Sequence, residues 1–135
     1  RRGRMTQSDD PLYQKYVLAS RIGHGTYGVV YQATCAKTGV AKAIKAVDPD
    51  AQKSGRDSVE IQVLRACNHH NVIKLEEVID GAEARPPVAL VFPAYDMDLA
   101  KLIHLRRGFP EDFPMPQRQC IAQGLWKGVE YMHSI

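Results

Sequence analysis

Apolar and polar positions along this chain sort into short runs, and their order carries most of the information. Residues 1–14 are polar and read as a basic tail without a fold of its own. Residues 16–22 (YVLASRI) read as a strand. Residues 29–34, rich in β-branched and aromatic side chains, read as a second, joined to the first by a glycine-rich turn at 23–28. Lys37-Thr38-Gly39 is a turn, and residues 40–47 alternate loosely as a third strand. Asp48-Pro49-Asp50 breaks the sheet. A helix then begins around Asp57 and runs to about Cys67, with Val59, Val63, Leu64 and Ala66 largely on one face. Residues 68–71 form a polar connector to a strand at 72–78. A further strand at 88–92 follows Pro86-Pro87, and Pro93 ends it because proline has no N–H to give a ladder. Residues 99–105 are a short helix, and residues 108–114 a loop. A long helix runs from near Pro116 to Ser134, with Ile121, Leu125, Val129 and Met132 as its apolar stripe.

The pattern is therefore five strands with one helix after the third, then two helices. It predicts an α+β chain: an antiparallel sheet with a helix packed on it, followed by the opening of a helical region. The organisation is a tail at 1–14, a sheet domain at 15–93, and a helical start at 94–135.

Composition adds little to this and excludes some classes. The 135 residues are 44% hydrophobic and 24% charged, as in ordinary globular proteins. The formal charge of +3 owes much to Arg1, Arg2 and Arg4, and is too small to argue for a nucleic-acid partner. Cys35, Cys67 and Cys120 are far apart and lack paired metal-ligand spacing, which points to a reducing compartment inside the cell. There is no run of 18 apolar residues, so no membrane partner is expected, and the polar first ten residues are unlike a signal peptide. With no initial Met and an abrupt end at Ile135, both ends read as edges of a fragment.

Four places carry chemistry. In Gly23-His24-Gly25-Thr26-Tyr27-Gly28, the glycines free the backbone to bring N–H groups close to phosphate oxygens. A dinucleotide-binding glycine turn opens a helix, whereas this one runs into the strand Val29-Val30-Tyr31. A plain glycine hairpin is the competing reading. On the third strand, Lys45 follows Ala43-Ile44, and an ammonium among apolar neighbours needs a charged partner. Glu60, fifteen positions on, lies between apolar residues of the following helix and can face the sheet to pair with it. A solvated lysine and a solvated glutamate are the bland alternatives for each taken alone. Finally, Leu90-Val91-Phe92 leads into Pro93-Ala94-Tyr95, whose backbone can offer a carbonyl and an N–H to a flat base. Asp98 can accept from ribose hydroxyls or cap the helix at Leu99.

Taken together these residues resemble a known family. Ile22 to Tyr31, IGHGTYGVVY, resembles the glycine loop of the cyclin-dependent serine/threonine protein kinases. Cys67 to Leu75, CNHHNVIKL, resembles their connector, and Gln123 to Ser134 resembles their helix ending in Tyr-Met-His-Ser. The resemblance runs from about Tyr13 to Ile135. It implies a protein-kinase-like N-lobe followed by the first helices of a C-lobe that this chain leaves incomplete. It also implies transfer of the ATP γ-phosphate to protein hydroxyls, with ATP and Mg²⁺ as cofactors, a protein substrate and a cyclin partner. A nuclear or cytoplasmic location follows the same resemblance.

By the same resemblance, Lys45 and Glu60 match the ion pair that serves the phosphates. Ile22, Gly23, Gly25 and Gly28 belong to the nucleotide loop, while Val30 and Ala43 cover the adenine. Phe92 backs the pocket, Pro93 and Tyr95 are hinge positions, and Asp98 serves the ribose. Thr26 and Tyr27 match loop sites where a phosphate of roughly −2 charge would oppose those of ATP.

The family's catalytic base, metal-binding Asn and Mg²⁺-binding Asp lie past the last helix, beyond Ile135, so these residues alone are expected to be inactive. The stripe of the last helix is then expected to be exposed and poorly packed. Two readings stay open: a segment of an active kinase, or a catalytically dead chain that binds a cyclin or a nucleotide. A dinucleotide-binding oxidoreductase is disfavoured by the strand after Gly28.

Overall fold

The computed structural model describes residues 10–25, 28–47, 59–81, 87–106 and 113–135. It opens with a short helix, α1 (Pro11–Lys15). Asp10 caps it, accepting the Leu12 N–H at 2.9 Å, and Pro11 supplies a preset φ in the first turn. Leu12 is buried. The expectation of an unstructured tail as far as residue 14 is thus corrected for residues 10–14; a buried leucine and a side-chain cap hold that turn.

Strands β1 (Tyr16–Gly25), β2 (Gly28–Cys35) and β3 (Ala41–Ala46) form a meander. The helix α2 (Val59–Ala66) follows, then β4 (Glu77–Asp80) and β5 (Pro87–Pro93). The sheet order is β1-β2-β3-β5-β4, and each neighbouring pair is antiparallel. Gly39, at φ 71°, makes the β2–β3 turn possible, and its N–H donates to the Cys35 carbonyl at 2.8 Å.

Two strands differ from their expected bounds by more than one residue at an end. β1 continues through Gly23 to Gly25, with irregularities between Leu18 and Arg21 and between Arg21 and Gly23. The strand expected at 72–78 is corrected to Glu77–Asp80. Residues 67–73 are engaged elsewhere by side-chain contacts that a β-propensity reading does not see.

Alternation across the sheet produces two cores. One face gathers Tyr16, Ala33, Ile44, Ile79, Ala89 and Val91, together with Leu12 of α1. The other gathers Leu90 and Phe92 beneath Ile61 of α2, with Ala43, Val47, Leu64, Leu75 and Val78 around them. Fully burying Ile44, Ile61, Leu90 or Val91 stabilises the domain by about 1.5–3 kcal/mol each. The inward face of α2 is therefore Ile61 and Leu64. Of the four positions expected there, Val59, Val63 and Ala66 are exposed, because the helix is turned to seat Ile61 on the sheet.

The chain divides into two compact units. The first holds the sheet, α1 and α2; the second holds residues 67–73 and 95–135. In the second unit, α3 (Leu99–Leu105) has the bounds expected of it, and α4 (Met115–Ser134) begins one residue early. Residues 67–73 lie along α4. The Asn68 N–H donates to the Tyr131 hydroxyl at 2.9 Å, and the His69 ring stacks on that of Tyr131 at 4.8 Å. Gly128 is buried there, and a Cβ at that position would stand 2.7 Å from the Asn71 carbonyl oxygen. Of the expected apolar stripe, Ile121 is half-buried while Leu125, Val129 and Met132 are exposed.

Candidate nucleotide site

The antiparallel register sets one row of side chains across the whole sheet. Gly23 pairs with Val30, Val30 with Lys45, Lys45 with Leu90, and Leu90 with Val78. Paired residues share a face. Ala43 opposite Phe92 lies two positions along β3 and shares that face too. Gly23, Val30, Ala43, Lys45 and Phe92, read separately from the sequence, thus come together on the α2 side of the sheet.

Lys45 is placed there by β3 and Glu60 by α2. The Lys45 ammonium donates to Glu60 Oε1 at 2.6 Å, with the lysine side chain 12% exposed and the glutamate 51%. The ammonium end is therefore held near apolar neighbours while the carboxylate faces water. Such an ion can take a further anionic oxygen without losing its counter-ion. Phe92 is buried against Ile61 and Leu90, closing the base of this face.

The hairpin above the row is shaped by backbone conformation. Gly28 has φ 114°, and a Cβ there would sit 2.7 Å from the Ala46 carbonyl oxygen, so only glycine fits. Gly25 pairs with Gly28 at the tip. Ile22 falls in the irregular stretch before Gly23 and is exposed. Thr26 and Tyr27, singled out as regulatory positions, lie outside the described residues.

Three expected residues sit at the end of β5 or after it. Pro93 is the last residue of β5, paired with Lys42. Tyr95 and Asp98 belong to the second unit. Tyr95 is exposed, and Asp98 is the N-cap of α3, accepting the Lys101 N–H at 2.7 Å. That leaves its second carboxylate oxygen for another donor.

Val30, Ala43 and the paired Lys45 ammonium lie on one face of the sheet, with the glycine hairpin at the end of the same row. Among the described residues, no group of three or more His, Cys, Asp or Glu is gathered as a metal site would require.

The pattern reading missed a second polar cluster, on the opposite face. Tyr16, Glu77 and Lys15 meet there, joining the first strand to the fourth. An Asp-Pro pair at 10–11, a helix-start signal, could have flagged the helix that feeds it.

The protein kinase domain family matches residues 16–135. Human cyclin-dependent kinase 10 is 34% identical over 117 residues, covering 84% of this chain and 31% of the human protein. Cyclin-dependent kinase C-1 of Arabidopsis thaliana is 33% identical over 129 residues, covering 84% of this chain and 25% of that protein. Rat mitogen-activated protein kinase 15 is 34% identical over 133 residues, covering 93% of this chain and 23% of that protein. The chain thus spans less than a third of the length of these relatives. It belongs to the protein kinase family and is similar to that family's cyclin-dependent members.

Proposed function

We propose that the chain is the ATP-binding portion of a cyclin-dependent-type serine/threonine kinase, which transfers the ATP γ-phosphate to protein hydroxyls. The observation that carries this is the Lys45–Glu60 pair, set on the same sheet face as Val30, Ala43 and Phe92. In this reading Lys45 holds phosphate oxygens and Glu60 orients Lys45. Gly23, Gly25 and Gly28 let the hairpin backbone approach the phosphates. Val30 and Ala43 contact the base, and Phe92 limits the depth it can reach. The Pro93 carbonyl, at the end of β5, serves the base edge. Thr26 and Tyr27 are phosphorylation sites that oppose nucleotide binding by charge. Mg²⁺, when bound, neutralises phosphate charge.

Titration of the chain with a fluorescent ATP analogue tests the reading. The wild type is expected to bind, and Lys45→Met to bind about tenfold more weakly, as loss of a charge-assisted hydrogen bond implies. Equal affinity for the two proteins, or no binding by the wild type at millimolar analogue, defeats it.

A cyclin is the proposed partner. The outer side of α2 supports this: Val59 and Val63, one turn apart, are both exposed. In the complete kinase, Val59→Lys is expected to weaken cyclin capture; unchanged capture would remove α2 from the interface.

A further inference from the structure

The sheet order puts β1 and β4 at opposite edges, with β2, β3 and β5 between them. In a flat sheet, four spacings of about 4.8 Å would hold these edges roughly 19 Å apart, farther than a tyrosine and a glutamate side chain can span. Yet the Tyr16 hydroxyl, at the start of β1, donates to Glu77 Oε2 on β4 at 2.7 Å. Lys15 donates to the other oxygen, Glu77 Oε1. The sheet is therefore curled until its edges meet across one face.

Residues along that face allow the closure. Ala33 on β2 and Ala89 on β5 are wholly buried and small, and the Tyr16 ring packs in the same core as both. The helix α1 touches β1 and β4 as well, so the bridge is reinforced by backbone that precedes it. The ionisation of both groups accords with a tight bridge. Burial and the hydrogen bond to Glu77 push the Tyr16 hydroxyl well above the usual tyrosine range. Burial pushes the Glu77 carboxyl up, but hydrogen bonds from Lys15 and Tyr16 outweigh it and hold the group below its ordinary range.

We propose that Glu77 is a positioning residue: by latching the two edge strands through Tyr16 and Lys15, it sets the curl of the sheet and so the attitude of the β1–β2 glycine hairpin over Lys45. The residue lies on the face opposite Lys45 and acts through β1, whose far end carries Gly23 and Gly25. Closure at one end of an irregular edge strand limits how far its other end can swing. The link to nucleotide binding rests on the function proposed above; the latch itself does not.

The test compares the chain with its Tyr16→Phe, Glu77→Ala and Glu77→Gln variants. Amide hydrogen exchange is read strand by strand, and ATP-analogue affinity is measured beside it. Tyr16→Phe keeps the ring in the core and removes the hydroxyl, so it separates the latch from packing. Tyr16→Phe and Glu77→Ala are expected to speed exchange at residues 17–25 about tenfold, the equivalent of about 1.4 kcal/mol. Exchange at residues 42–46 and 89–92 should stay unchanged. Glu77→Gln retains an acceptor for the tyrosine and should fall between. Analogue affinity should drop severalfold in the same order.

Unchanged exchange in β1 overturns the proposal. So does a uniform rise over every strand, which would mark a merely structural role. If β1 loosens selectively but affinity holds, the latch stands and its control of the hairpin's attitude over Lys45 is refuted. If the wild type binds no analogue, the ATP reading fails instead, and the exchange pattern still decides the latch.

Discussion

Glu77 shows how one side chain can tie stability to pH at both ends of the scale. Its carboxyl is held below the ordinary 4.5, so its contribution to stability is whole above that pH and is lost as pH falls past it. Tyr16 is shifted the other way, upward from 10.0; its contribution is whole below pH 10 and is lost as pH rises beyond. Thermal melting followed across pH should therefore show an acid limb that Glu77→Gln flattens and an alkaline limb that Tyr16→Phe flattens. Parallel curves for wild type and variants would mean that neither group titrates with folding. At the same scale, Lys45 and Glu60 were legible in the sequence, because charge among apolar neighbours on consecutive elements asks for a partner. Tyr16 and Glu77 were not. A pairing across 61 positions of chain leaves no local trace, and it depends on a sheet curl that no short window encodes.

Among the elements, those with a strong local signal match their expected form. The helix α3 begins after a capping aspartate, and α4 begins with a proline in its first turn. β4 does not match, since Val72 and Ile73 have strand-like side chains but lie in the connector that rests on α4. On α2, helical periodicity gives a spacing without fixing which residue meets the sheet; Ile61 does. Two glycines of α4 separate close packing from mere tolerance. A Cβ at Gly128 would meet the Asn71 carbonyl oxygen at 2.7 Å, whereas at Gly124 it would meet the end of the Asn71 side chain at 3.1 Å. Gly128→Ala is expected to release residues 67–73 from α4. Gly124→Ala, after a small shift of the amide, should gain up to about 1 kcal/mol of helix propensity. Urea denaturation of both variants checks this, and equal midpoints would contradict it.

Over the whole molecule, apolar burial is uneven. The first unit has two cores, while Cys67 is the buried apolar side chain of the second among the described residues. Leu125 and Trp126 are 66% and 70% exposed on α4. Exchange protection should divide accordingly, with residues 42–46 and 89–92 slow and residues 121–132 fast. Equal protection in both regions of the monomer would show that α4 is held by more than these contacts. The order of the strands has one more consequence, which concerns synthesis. A chain leaving the ribosome can complete β1, β2 and β3 as successive hairpins while α2 is still being made. β4 emerges next and has no strand to join, since its neighbour in the sheet is β5. Until residue 93 is clear of the exit tunnel, Glu77 is an acid on an unpaired segment and Tyr16 has no acceptor there. The nascent sheet stays open, and the last strand to arrive is the one that lets its edges close.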